Sequence, residues 1–250
     1  MMRDDERQRY ARHLMLDGLD AASYASIRDS KVLVIGAGGL GSPALYYLAA
    51  AGVGTIGVVD HDRVELSNLQ RQVLHTTADL GRLKTGSAAE HLTALNPDVR
   101  IAPYTEVFGA HNAEEIVSAF DVVITAVDTI PARFAANDAC VRQGKVLIEA
   151  AVNHFSGQAI TIRGGETACY RCLFPVAPIG GEVPYAPDKG IFGPIAGIMG
   201  VIQAAEALKV LAGVGEPLFN RLLSVDVRDM SFAVTPVERD PSCPVCSAAV

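Results

Sequence analysis

The sequence predicts an α/β fold: a mostly parallel sheet with helices on both faces, extended by C-terminal antiparallel strands. Three observations predict it. Short continuous apolar runs, led by KVLVI at Lys31–Ile35, have the composition of parallel strands covered on both faces. Helical patterns alternate with such runs as far as residue 152. Beyond Asn153 the alternation stops, and strand-like segments stand in hairpin order.

In chain order, residues 4–16 and Ala21–Asp29 read as short polar-faced helices and form an N-terminal helical arm of about residues 1–29. Lys31–Ile35 is the first strand, and the turn GAGGLG (36–41) leads into a helix at 40–51 that ends at Gly52. TIGVVD, residues 55–60, is the second strand and stops at an acid. A helix over Lys84–Leu95 ends at Asn96-Pro97, followed by a strand at 99–103, a helix at 112–119 and a strand at 121–126. Pro131 starts a helix reaching residue 143, as proline does in a first turn, and 145–152 is the next strand. Residues 157–163 are strand-like, 175–193 are rich in Gly and Pro, 195–211 form a long helix, and 221–228 with 231–237 read as a hairpin. The whole, 1–250, is expected to be one domain whose half from about 153 to 250 is elaborated.

Bulk properties narrow the function. The 21 basic and 28 acidic residues leave a net charge of −7, so no global basic field argues for nucleic acid. No apolar signal core fits among Arg3, Arg7, Arg9 and Arg12. The longest apolar run, residues 191–202, is broken by Gly and Pro and falls short of the roughly 18 residues that span a bilayer. A soluble cytoplasmic protein without membrane partners is the expectation. Five cysteines fall as two C-x-x-C pairs and the lone Cys140, a pattern that suggests metal rather than disulfide in a chain without a secretion signal.

Gly36, Gly38 and Gly41 satisfy G-x-G-x-x-G between a strand and a helix, with Gly39 beside them. Glycine lets the backbone turn tightly and approach a phosphate at a helix N-terminus. Asp60 ends the second strand, where an acid binds ribose hydroxyls. These features predict a nucleotide without separating NAD, FAD, SAM or ATP, and no Walker-type run is present. The polar stretch 62–72, which includes Asn68, Arg71 and Gln72, and the nearby Lys84 suit attack on an α-phosphate, where charge builds on phosphoryl oxygens. On charge alone the same stretch also fits a solvated loop. Asp128 ends the next strand on the carboxyl edge and either holds Mg²⁺ or caps the helix at Pro131, with Thr129 a competing cap.

Together these residues resemble the bacterial relatives of ubiquitin-activating enzymes, the MoeB/ThiF/HesA group of sulfur-carrier-protein adenylyltransferases. The resemblance runs nearly the whole length through RYARH, GAGGLGSP, AAAGVGTIGVVDHDRVELSNLQRQVLH, GRLKTGSA, LNP, the D-x(4)-R-x(3)-N pattern of Asp128, Arg133 and Asn137, CYRCLFP, GPIAGIMGVIQAAEALKVLAG and CPVC. It implies a Rossmann-like, mostly parallel sheet extended by antiparallel strands, in a homodimer. It assigns the glycines around Gly39 and Asp60 to ATP, Asn68, Arg71 and Lys84 to the phosphates, with Gln72 among the nucleotide-binding residues, and Asp128 to Mg²⁺. Arg12 matches an arginine that reaches the partner subunit's site. Arg71, Lys84, Asp128 and Arg12 are thus the expected catalytic residues. The implied substrate is a ubiquitin-like sulfur-carrier protein (MoaD- or ThiS-like) whose C-terminal Gly-Gly carboxylate attacks Mg-ATP, giving acyl-adenylate and pyrophosphate. A carboxylate is ionised at neutral pH, so no general base is needed.

Cys169, Cys172, Cys243 and Cys246 supply four soft thiolates that suit a closed, structural Zn²⁺ site stapling the C-terminal half. Its loss is expected to destabilise the fold without touching phosphate chemistry directly. Cys140 lies in a helical apolar pattern and reads as core. Two departures from the family pattern stand out. Ala186 falls where many relatives carry a reactive cysteine, and Thr129 stands where an asparagine is common. Adenylation without a covalent enzyme–carrier intermediate is therefore expected. The competing readings are a nicotinamide-dependent oxidoreductase, a zinc-stabilised binding module, and the same adenylation on a peptide or other carboxylate.

Overall fold

The computed structural model describes residues 2–175 and 190–247. Ala186 lies outside these residues, as does most of the Gly/Pro-rich stretch. The strands expected from the sequence become β1 (Lys31–Ile35), β2 (Thr55–Val59), β3 (Arg100–Tyr104), β4 (Val122–Thr125) and β5 (Val146–Asn153). They are followed by β6 (Ser156–Arg163), β7 (Arg221–Asp226) and β8 (Ser231–Pro236) in one eight-stranded sheet of order β3-β2-β1-β4-β5-β6-β7-β8. Strands β1 to β5 are paired in parallel, and β5 to β8 in antiparallel fashion. The sheet is therefore of the expected class. The direction of strand order reverses between β1 and β4, which opens a crevice beyond their carboxyl ends.

The helices are α1 (Asp4–Arg9), α2 (Ala21–Asp29), α3 (Gly41–Ala51), α4 (Lys84–Leu95), α5 (Ala113–Ser118), α6 (Ile130–Arg142), α7 (Tyr170–Leu173) and α8 (Gly193–Ala212). Apolar side chains of α2, α3, α4 and α8 join one core cluster, among them Ile27, Leu45, Leu92 and Met199. Those of α5 and α6 form a second cluster that also takes in Cys169, Cys243 and Cys246. Among the described residues α8 is the one helix with the length and composition to cross a bilayer, but it packs on α2, α3, β5 and β6, with Ile195, Ala196, Met199, Ala204 and Ala207 buried.

Several boundaries differ from the sequence expectation. The first helix stops at Arg9 rather than at residue 16, because Tyr10 turns inward. Its ring lies 4.5 Å from that of Tyr24, and its hydroxyl accepts from Asn96 Nδ2 at 2.8 Å. Strands β5 and β6 run into a two-residue hairpin turn in which His154, not a glycine, carries a positive φ of 54°. The short α7 and the 3-10 turns at Leu66–Asn68 and Thr77–Asp79 were not expected; a single turn carries too little periodicity to be read.

Candidate functional site

The glycine turn is shaped by its own steric demands. Gly36 takes φ +99°, and a Cβ there would meet Ala126 O at 2.5 Å. A Cβ on Gly41 would lie 1.9 Å from Gly36 O, so the turn closes only without side chains. It delivers the N-terminus of α3, which has no side-chain cap, into the crevice. The N-termini of α6 and α8 also lack side-chain caps and open on the same space. Three such termini favour an anion there.

Gly36, Gly38, Gly39 and Asp60 line one cavity of about 190 Å³, open to solvent, together with Arg71, Gln72, Lys84 and Asp128. Asp60 ties the turn to β2: its Oδ2 accepts from Ala37 N and its Oδ1 from Asp62 N, both at 2.8 Å. Each oxygen keeps a lone pair for a ribose hydroxyl. Lys84 opens α4, is 4 % exposed, and donates to Asp62 Oδ2 at 2.9 Å. Arg71 donates to Ser67 O at 3.3 Å, which leaves most of its donors uncommitted among the described residues. Gln72 is buried, and its Oε1 has no hydrogen-bond partner among the described residues. An orphaned buried acceptor beside a polar cavity fits a ligand that supplies a donor.

Asp128 is exposed and makes no hydrogen bond or ion pair among the described residues, so it does not cap α6; neither does the side chain of Thr129. A free carboxylate beside a phosphate-sized anion site is the hard-oxygen donor that suits Mg²⁺. Three predicted residues lie outside the lining. Gly41 acts within the turn. Asn68 closes the 3-10 turn, its Oδ1 accepting from Glu65 N at 3.4 Å and its carbonyl accepting from Arg71 N and Gln72 N. Arg12 is exposed on the N-terminal arm.

The four paired cysteines converge beside the core cluster of α5 and α6. Sulfur–sulfur distances are 3.6 Å for Cys169–Cys243, 3.5 Å for Cys172–Cys246 and 3.9 Å for Cys169–Cys172. Disulfides need about 2.05 Å, whereas a Zn–S bond of about 2.3 Å gives a tetrahedron with edges of about 3.8 Å. The cluster therefore fits zinc. Burial pushes the Cys243 thiol up, but hydrogen bonds from Cys246 and Val245 outweigh it and bring it to about 7, toward the thiolate a metal needs. Cys140 is the opposite case. Fully buried, it is pushed up to about 12, which makes it inert.

The ThiF family model matches residues 10–245. The chain belongs to the ThiF family. Among its relatives, a sulfur carrier protein adenylyltransferase of Thermus thermophilus is 45% identical over 247 residues, covering 97% of this chain and 91% of the relative. A SAMP-activating enzyme E1 of Haloferax volcanii is 46% identical over 238 residues, covering 95% and 88%. The solved structure of E. coli MccB with ATP has a TM-score of 0.83 at 23% identity, covering 96% of this chain and 74% of that one, and shows the shared fold.

Two buried polar groups near this cavity have no role assigned from the sequence, although Arg133 stands in the D-x(4)-R-x(3)-N pattern. His75 is buried between Ala37 O and Ser87 Oγ, at 3.0 and 2.9 Å. Arg133, also buried, lines the cavity and pairs with Glu149. A signal for the second existed: Glu149 interrupts an otherwise apolar strand, and a charge so placed requires a partner.

Proposed function

We propose that this chain uses ATP to adenylate the C-terminal carboxylate of a ubiquitin-like sulfur-carrier protein ending in Gly-Gly. The observation that carries the reading is the convergence of Arg71, Lys84 and the uncommitted Asp128 on the glycine turn, at the carboxyl edge of β1 and β4. The carrier carboxylate attacks the α-phosphate in line, the α–β phosphoanhydride bond breaks, and pyrophosphate leaves with the bonding pair. The backbone N–H groups of the glycine turn hold phosphate oxygens, and Asp60 orients the ribose. Lys84 and Arg71 neutralise charge as it builds on the phosphoryl oxygens and the leaving group. Asp128 would hold Mg²⁺, which would supply further charge neutralisation to the phosphates. An oxidoreductase has no use for Arg71, Lys84 or Asp128 in these places.

The wider reading is a single cytoplasmic domain acting as a homodimer, with Arg12 serving the partner's site. Zn²⁺ on Cys169, Cys172, Cys243 and Cys246 is structural and takes no part in phosphate chemistry. With Cys140 inert, the carrier adenylate is released or held without a covalent bond to the enzyme, for another sulfur donor to attack. ATP–pyrophosphate exchange with candidate proteins ending in Gly-Gly tests the proposal. Exchange with one carrier, abolished in Arg71→Ala and Asp128→Ala, is expected. No exchange with any carrier, alongside tight NAD binding, would overturn it.

A further inference from the structure

Arg133 sits in the first turn of α6 at 7 % exposure, and its guanidinium divides between two anchors. Nη1 pairs with the carboxylate of Glu149 on β5 and donates to Ala150 O at 2.9 Å. Nη2 donates to Val127 O at 2.6 Å. Glu149 is held in turn by Thr125 Oγ1 at the end of β4. Val127 immediately precedes Asp128, so one buried side chain ties the peptide before the candidate metal acid to the middle of the sheet.

Among the described residues, the segment that carries Asp128 has few other backbone ties. Ala126 N donates to Ile35 O at 2.8 Å, and the next backbone bond is Arg133 N to Thr129 O at 3.4 Å. Neither Asp128 nor Thr129 anchors the segment by its side chain among the described residues. An ion pair needed only to fill the core could be replaced by apolar groups of like volume without loss of stability. What such groups could not reproduce is the fork from one guanidinium to both Glu149 and Val127 O.

We infer that Arg133 is a positioning residue for adenylation: it fixes the β4–α6 loop so that Asp128 presents its carboxylate to the divalent ion that accompanies ATP. The inference rests on the proposal that Asp128 holds that ion. Groups that orient a metal ligand in this way are worth a large part of the metal's affinity.

The test uses the full-length, zinc-loaded chain and follows Mn²⁺ binding to the enzyme–ATP complex by electron paramagnetic resonance. Alongside it run the Mg²⁺ dependence of pyrophosphate exchange, AMP binding in EDTA, and the urea midpoint. Arg133→Lys keeps a cation opposite Glu149 but cannot reach both anchors. It is expected to weaken Mn²⁺ binding about 10–100-fold and raise the Mg²⁺ requirement of exchange, with metal-free AMP binding falling far less. If Arg133→Lys does not fold, the neutral pair Arg133→Gln with Glu149→Gln carries the same expectation. Wild-type Mn²⁺ affinity in the folded variant, at whatever urea midpoint, makes Arg133 purely structural and overturns the inference. Asp128→Asn separates the two claims. If it weakens Mn²⁺ binding while the Arg133 variant does not, only the role of Arg133 fails. If Asp128→Asn itself binds Mn²⁺ normally, the metal assignment fails first and takes the inference with it.

Discussion

At the scale of single residues, His75 has both ring nitrogens committed. Ala37 O can only accept, so Nε2 carries the proton and Nδ1 accepts from Ser87 Oγ, which is the neutral ring. Burial pushes its pKa below the usual value; the contact with Ala37 opposes this, and nearby Lys84 reinforces it. Because the folded pKa is the lower one, the unfolded chain binds more protons once pH falls below about 6.5. Stability is therefore full above that pH and declines below it, until the folded pKa is passed. The urea midpoint of wild type should fall more steeply between about pH 6.5 and 5 than that of His75→Gln. At pH 8 the variant should cost about 1–3 kcal/mol for its imperfectly satisfied partners. Equal slopes would show that His75 does not set the dependence. Lys84 gives a second prediction at this scale. It is buried, and among the described residues Asp62 is its one counter-charge. Lys84→Met should lower the exchange rate about 100-fold or more, with a modest effect on AMP binding; steady-state exchange kinetics check it. The glycines and Asp60 were legible because their roles are local to one strand–turn–helix unit. The Arg133–Glu149 pair was not, because its partners come from different elements and meet only when α6 lies across β4 and β5.

At the scale of elements, α6 links the cavity to the cysteine cluster. Asn137 stands one turn beyond Arg133 on this helix; its Oδ1 accepts from Tyr170 N at 2.8 Å, and its Nδ2 lies 3.9 Å from Cys169 Sγ. Arg171 donates to Asp138 at 2.8 and 2.7 Å and lies 4.5 Å over the Phe134 ring. The first cysteine pair is thereby fastened to α6, while the first turn of that helix holds the Asp128 loop. The C-x-x-C spacing announced a metal, but the surface it is pinned to was not legible, since neither clip carries helical or strand periodicity. Cys246→Ser should lower zinc content and reduce Tm by about 5 °C or more, since each kcal/mol is worth about 2–4 °C in a chain of this length. Metal analysis and calorimetry check both. An unchanged Tm with zinc absent would remove the stapling role. Strands β1, β2 and β4 were readable because burial on both faces makes them almost continuously apolar. The early end of α1 was not, because it depends on Tyr10 finding Tyr24 and Asn96 across the chain.

At the scale of the whole molecule, the alternation of strands and helices limits the sheet to few orders, and the reversal between β1 and β4 places ligands at one edge. What one chain leaves open is its outer surface. Arg12 is exposed and away from the cavity it is expected to serve. Ile198, Val201 and Ile202 of α8 are half-buried, and Phe232 and Val234 of β8 are 54% and 52% exposed. In the proposed homodimer each site combines Asp128 of one subunit with an arginine from the other, so defects in the two residues should complement. Arg12→Ala and Asp128→Ala should each be inactive alone. Mixed in equal amounts and reassociated at random, half of the dimers are hybrids, and each hybrid has one site with both residues intact and one with neither. Exchange should then recover to about a quarter of the wild-type rate, as two-fold symmetry requires. If Arg12 acts within its own chain, or the protein works as a monomer, no mixing regains activity, and the shared site is wrong.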